Sequence, residues 1–173
     1  MRLNNNKKCF LFWNCCGGIK SKLDTLKLII SKYTPEALFI SEAEIRKTDD
    51  LGWFRVAGYD FHVTESFNHG TARSACYIKI NSGLQQVKFN DHGQEILAFE
   101  NATERLCGVY RPFKIPSGST PASEFTKLMG CLELLSSTNK TLVVGGDFNV
   151  NLLKSSPEKV LLAEWAVIFS FKQ

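Results

Sequence analysis

No run of apolar residues in this sequence approaches the length needed to cross a membrane, and the amino-terminal MRLNNNKK carries charge but no apolar segment of signal-peptide length. Both absences lead us to expect a soluble chain that does not follow the secretory route. Cysteine occurs six times, yet no two are spaced as a CxxC pair and none of the three histidines lies near two of them. The spacings of a structural zinc site and of a redox dithiol are therefore missing. Cys9, Cys15, Cys16, Cys76, Cys107 and Cys131 fall mostly in apolar runs, where a thiol packs as a small hydrophobe, as suits a reducing intracellular compartment. Internal repeats, low-complexity tracts and long linkers are also lacking, so residues 1–173 read as a single domain.

What the sequence does hold is enough apolar material, 44% of 173 residues, for one substantial core but not comfortably for two. Lys and Arg number 21 against 17 Asp and Glu, a net charge of +4 that permits a polyanionic partner without requiring one. KCFLFWN, from Lys8 to Asn14, reads as a strand buried on both faces, broken by CGGIK. SKLDTLKLIISK spaces Leu23, Leu26 and Ile30 at helical intervals, and Pro35 ends the helix before the apolar run ALFIS. From Tyr59 to Tyr110 short runs divided by Gly, Asn and Asp predict an antiparallel meander. Thr120 and Pro121 announce a second helix as its cap and first residue, and Ser156 with Pro157 announce a third. Between them TLVVGG reads as another buried strand. Helix-linked strands beside a meander predict an α/β fold of two packed sheets with helices outside.

The carboxyl ends of the buried strands deliver Asn14, Glu42, Asp147 and Asn149 from otherwise apolar elements, which is where ligands sit in layered α/β folds. Each alone has an ordinary reading as a turn former, a solvated charge or an Asx-turn. Together, WNCCGGI, LFISEAEI, GVYRPF and VVGGDFNVNLL, in this order and each at the end of an apolar run, resemble the endonuclease/exonuclease/phosphatase superfamily with its DNase I-like sandwich. They are most similar to the apurinic-type endonuclease domain of LINE-like non-LTR retrotransposons. GDFN is the most specific of the four pieces, and the likeness covers nearly the whole chain.

The resemblance implies phosphodiester hydrolysis with Mg²⁺ as cofactor, DNA as partner, and a product 3′-hydroxyl that primes reverse transcription. It implies that Glu42 ligates the metal, that Asn14 lies beside metal or phosphate, that Asp147 orients or deprotonates the water, and that Asn149 and Tyr110 meet phosphate or leaving group. Such a reaction needs a hard cation, an activated water and donors for the charge that builds at phosphorus, and these residue types supply them. Arg111 either neutralises phosphate or is a solvated loop charge. Glu44 shares a strand face with Glu42, so geometry does not separate the two, and the family pattern favours Glu42. Arg46, Lys47 and Arg73 lie in loops that could set target preference, with a solvated surface as the plainer reading.

The superfamily also carries a late Asp and His in a short SDH-like motif, which this sequence, ending FSFKQ, does not contain. His62, His69 and His92 lie in or beside the meander and are not expected to replace it. The expectation is a domain lacking its last strands, a piece of a longer reading frame with a reverse transcriptase downstream, acting in the nucleus. Such a chain alone should be nearly inactive and prone to associate. Two alternatives stand: another phosphodiesterase of the superfamily, acting on abasic DNA or a phosphoinositide, and a degenerate domain that binds nucleic acid without cutting.

Overall fold

The computed structural model describes residues 8–65 and 70–168, so His69, the SFNH part of one expected target loop and the last five residues lie outside it. Its strands form two sheets. In the first, β1 (Phe10–Asn14), β2 (Ala37–Arg46), β4 (Thr71–Lys79) and β3 (Tyr59–Val63) lie side by side in that order. In the second the order is β5 (Gln85–Gln86), β6 (Glu95–Glu100), β7 (Glu104–Tyr110) and β8 (Thr141–Asp147). β1 runs parallel to β2 and β8 parallel to β7, each joined through a helix, while the remaining pairings are antiparallel.

Helix α1 (Leu23–Tyr33), preceded by one 3₁₀ turn at Lys20–Lys22, buries Leu26 and Ile30 against Leu38, Ile40 and Tyr77 of the first sheet. It ends where Thr34 turns left-handed and donates its N–H to Ile30 O, one residue before Pro35. Helices α2 (Pro121–Ser136) and α3 (Pro157–Ile168) cover the second sheet. Thr120 and Ser123 cap α2 reciprocally, each side chain accepting the other's backbone N–H, at 3.1 and 3.0 Å. Ser156 Oγ accepts the amide of Lys159 at the start of α3. The predicted two-sheet sandwich flanked by helices is thus the architecture found.

Two expectations need correcting. The stretch from Tyr59 to Tyr110 is not one meander: β3 and β4 join the first sheet, and β5, β6 and β7 build the second. Short antiparallel strands look alike in sequence whichever sheet they enter, because only tertiary packing assigns them. β1 and β8 are also only partly buried, being end strands of their sheets among the described residues.

Between the sheets lies an apolar seam that includes Phe39, Cys76, Ile78, Leu97, Phe99 and Leu106. Phe12 and Phe39 stack 5.2 Å apart, and their rings take the place that side chains would occupy on Gly145 and Gly108 of the opposite sheet. A Cβ built on Gly108 would stand 2.1 Å from Phe39, and one on Gly145 would stand 2.6 Å from Phe12. The glycines in LCGVY and VVGG therefore do not end their strands but seat the aromatic rings that hold the sheets together.

Candidate active site

At one end of the seam the first sheet contributes Asn14, Glu42, Glu44 and Arg73, and the second contributes Tyr110 and Asp147, with Asn149 following in the loop after β8. The loop after β1 is laid along β2: Cys15 N donates to Ser41 O, Gly18 N to Glu42 O and Ile19 N to Ala43 O, at 2.9–3.0 Å. Lys22 Nζ donates to the carbonyls of Cys15 and Cys16, pinning the loop from below. That loop delivers Gly17 N to Glu42 Oε2 at 3.2 Å. Within β2 the register breaks between Ser41 and Ile45, and Glu42 and Glu44 both adopt left-handed backbone, with φ of 57° and 51°. Side chains rarely tolerate that region, and such strain gathers at functional sites.

Asn14 ties the two sheets together. Its Nδ2 donates to Glu42 Oε1 at 3.0 Å and to Asp147 Oδ2 at 2.7 Å, while its Oδ1 accepts from Cys16 N at 2.8 Å. The other oxygen of Asp147 accepts the amide of Asn149 at 2.9 Å, an Asx-turn that fixes the carboxylate's direction. Asn149, itself left-handed with φ of 49°, donates one amide hydrogen to Arg111 O, and Arg111 N returns a bond to Asp147 O at 2.8 Å.

Tyr110 is 4% exposed and its hydroxyl faces Arg73, Glu42 and Asp147. Burial raises its pKa, the two carboxylates add to that, and Arg73 opposes them. Arg73 lies in β4 rather than a loop, with its Nε 3.2 Å from Glu44 Oε1. Glu44 is thereby engaged with Arg73, and Glu42 with Asn14 and Gly17, which separates two carboxylates that the sequence leaves equivalent. Arg111 is not a solvated charge, its side chain being 12% exposed. Its guanidinium donates to Asn149 O at 3.1 Å, lies 3.7 Å from Glu158 and rests on the Phe125 ring. Arg46 and Lys47 are exposed. His62 packs its ring against Phe99, 4.8 Å away, where burial lowers its pKa, and His92 sits in an exposed turn.

Missed by sequence reasoning is Glu95, at the start of β6 and 1% exposed. Its Oε2 accepts from Arg73 N at 2.8 Å, Ser74 N at 2.9 Å and Thr64 Oγ1 at 3.1 Å, so a side chain of the second sheet binds the backbone of the first. Burial pushes its carboxyl up to about 7 against the pull of those donors. The signal is faint: a Glu opening an apolar run looks like a solvated strand end.

Among the described residues no three His, Cys, Asp or Glu side chains gather as a metal-binding cluster. Mg²⁺ asks for less, commonly one or two carboxylates with the rest of its shell from water and phosphate. Glu42 and Asp147, facing each other across one neutral amide, meet that requirement. Asn14 as placed offers its nitrogen to the carboxylates, so Glu42 is the better ligand of the two implied by resemblance.

No family model matches the sequence, and no curated protein matches it. Solved structures do. The endonuclease domain of TRAS1, a telomere-specific non-LTR retrotransposon, matches with a TM-score of 0.60 at 12% identity over 92% of this chain and 71% of that one. An AP endonuclease from Archaeoglobus fulgidus gives 0.63 at 15% over 94% and 71%. The 3′-5′ exonuclease NExo from Neisseria meningitidis gives 0.68 at 13% over 92% and 70%. These neighbours are members of the endonuclease/exonuclease/phosphatase superfamily, and the fold of this chain is theirs.

Proposed function

We propose that the chain is a Mg²⁺-dependent DNA-nicking endonuclease module of the non-LTR retrotransposon type. The observation that carries this reading is the convergence of Glu42 and Asp147, from different sheets, on the single amide of Asn14, with the Tyr110 hydroxyl facing the same space. Mg²⁺ bound at Glu42 would supply positive charge to the phosphate oxygens. Asp147, aimed by the Asn149 amide, takes a proton from the attacking water. The water oxygen bonds to phosphorus as the bond to the 3′ oxygen breaks, and that oxygen leaves as a hydroxyl with a proton from solvent, to which Asp147 returns the one it took. Tyr110 donates to phosphate or leaving group, and Asn149 meets the phosphate with the amide hydrogen that it does not spend on Arg111. That one neighbour is a retrotransposon endonuclease and another an AP endonuclease supports DNA as the substrate.

Plasmid nicking tests the reading. Any nicking activity, however weak, is expected to require Mg²⁺, to vanish with EDTA and to fall about a hundredfold or more, or to background, in Glu42→Ala and in Asp147→Ala, the usual scale for lost acid–base or preorganised groups. Full activity in either variant would sink the assignment. Faster turnover of a phosphoinositide or an abasic duplex, compared side by side, would move the chain to another phosphodiesterase class.

A further inference from the structure

We propose that Arg73 is a further substrate-contacting cation of this site and that Glu95, bonded across the seam to its backbone, is the residue that positions it. The inference rests on the reading of the site as a phosphodiesterase and adds to it a residue that the resemblance does not assign. Three carboxylates, Glu42, Glu44 and Asp147, crowd the mouth of the site, and a polyanion entering it would be repelled. Arg73 is placed to counter this. It reaches from β4 over Glu44 to the Tyr110 hydroxyl, is 19% exposed at its side chain, and also lines a cleft with Arg111 and Lys114. Its Nε pairs with Glu44 by charge alone and makes no hydrogen bond, one donor is shared with the Tyr110 hydroxyl, and a guanidinium carries further donors that a phosphate oxygen could accept.

The position of that guanidinium depends on where β4 lies relative to Tyr110, which belongs to the other sheet. Apolar packing fixes the separation of sheets but tolerates sliding, whereas a buried carboxylate bonded to two successive amides does not. Glu95 makes that bond: its Oε2 takes the amides of Arg73 and Ser74, its own carbonyl accepts from Ser74 Oγ at 3.2 Å, and its strand register places it opposite Tyr110. Its remaining oxygen, Oε1, is buried without a partner. A carboxylate kept buried with one oxygen unsatisfied is costly, and its return here is the alignment of Arg73 with Tyr110. The charged and titratable groups around it are Arg73 from β4, Tyr110 from β7 and, through Gln94, Glu124 from α2.

The test is a double-mutant cycle on the 173-residue chain, read by fluorescence anisotropy with a labelled DNA duplex carrying nonhydrolysable phosphorothioate linkages. Arg73→Ala is expected to weaken binding about tenfold, the scale of one charge-assisted contact. Glu95→Ala should weaken it similarly, the double variant no further, and Glu95→Gln, whose carbonyl still accepts both amides, should retain most of the affinity. Thermal unfolding and circular dichroism establish that each variant is folded. Should Glu95→Ala fail to fold, Glu95→Gln and Glu95→Asp take its place, with ¹⁵N shifts of the Arg73 and Ser74 amides reporting the clamp. Arg73→Ala binding as tightly as the parent, or additive losses in the cycle, would overturn the inference while leaving the nuclease reading intact. A parent chain that binds no DNA, and whose Glu42→Ala variant behaves identically, would overturn both.

Discussion

The two ends of the seam between the sheets handle charge in opposite ways. At the end away from the site several ions are paired. Lys8 meets Glu104 at 2.6 Å, Lys79 meets Glu36 at 3.0 Å, and Arg105 and Lys140 share Glu100 at 2.6 and 2.8 Å. At the site end, Glu42 and Asp147 share one neutral amide, and among the described residues neither has a basic side chain within ion-pair distance. A fold optimised only for stability would treat both ends alike. The uncompensated end is the one able to take up a cation and a phosphate, and the register break and left-handed glutamates lie there too. Glu44 and Glu158 are paired at the site end too, with Arg73 and Arg111, so what marks the site is that Glu42 and Asp147 are left out of the pairing.

The comparison breaks most severely if the seam itself is lost. Gly108→Val and Gly145→Val each force a side chain into space held by the Phe39 or Phe12 ring, in some of the closest approaches that any glycine here would make. Overpacking typically costs about 1–3 kcal/mol and occasionally more. With a ring and a fixed strand as the only things that could yield, these variants should sit at or above the upper limit, seen as a large drop in the urea midpoint. A valine tolerated at either position with an unchanged midpoint would show that the sheets slide freely, and the two ends would then have no fixed relation.

A sharper and smaller test uses pH, because the ends carry opposite signs. Glu95 has its folded value raised to about 7 from 4.5, so the folded chain holds this proton more tightly than the unfolded one. Its contribution to stability is complete below about pH 4.5 and is lost as pH rises through about 7. Glu100 and Glu104 at the other end are lowered, Glu100 by Lys140 and Arg105, and Glu104 by Lys8 and Asn101 against the opposing effect of burial. Their contribution is present above the ordinary carboxylate range and lost in acid. His62, lowered by burial in the seam, adds a loss of stability as pH falls through the mid-sixes and below, in part of the Glu95 window. Subtracting the profile of Glu95→Gln from that of the parent removes those shared contributions. The difference should amount to about 2 kcal/mol between pH 5 and 8, because each tenfold change in proton affinity on folding is worth about 1.4 kcal/mol. A flat difference would mean that Glu95 is not titrating where it is buried.

How much of this is legible in the sequence follows from the same contrast. Asn14, Glu42, Asp147 and Asn149 stand out because each ends an apolar run, and Thr120–Pro121 and Ser156–Pro157 announce their helices because capping is local. Glu95 is not legible, and Arg73, read from the sequence as a loop charge, is not legible as a β4 residue at the site. Their meaning depends on a bond between strands of different sheets, and QEIL and TARSA look like ordinary strand margins until those strands are set face to face. Gly108 and Gly145 look like breaks for the same reason, since the rings that fill their side-chain space come from β1 and β2. Arg111 follows an expected motif but spends its guanidinium on the carbonyls of Phe148 and Asn149.

The smallest effect expected is at the end away from the site, and it is where the comparison is most easily refuted. Lys8 and Glu104 bridge the start of β1 to the start of β7, one strand from each sheet, much as Glu95 bridges them at the site. The difference is solvent. The Lys8 side chain is 47% exposed, so its charge is screened by water and salt, and its flexible stem loses entropy on pairing. Lys8→Ala should therefore change stability by no more than about 0.5–1 kcal/mol, and less in high salt. Nicking and DNA affinity should be unaltered, since Asn14, at the other end of β1, remains held by Glu42 and Asp147. If Lys8→Ala instead lowered DNA affinity as much as Glu95→Ala, the sheets would be moving as rigid plates hinged at either end. Position along the seam would then no longer distinguish scaffold from site.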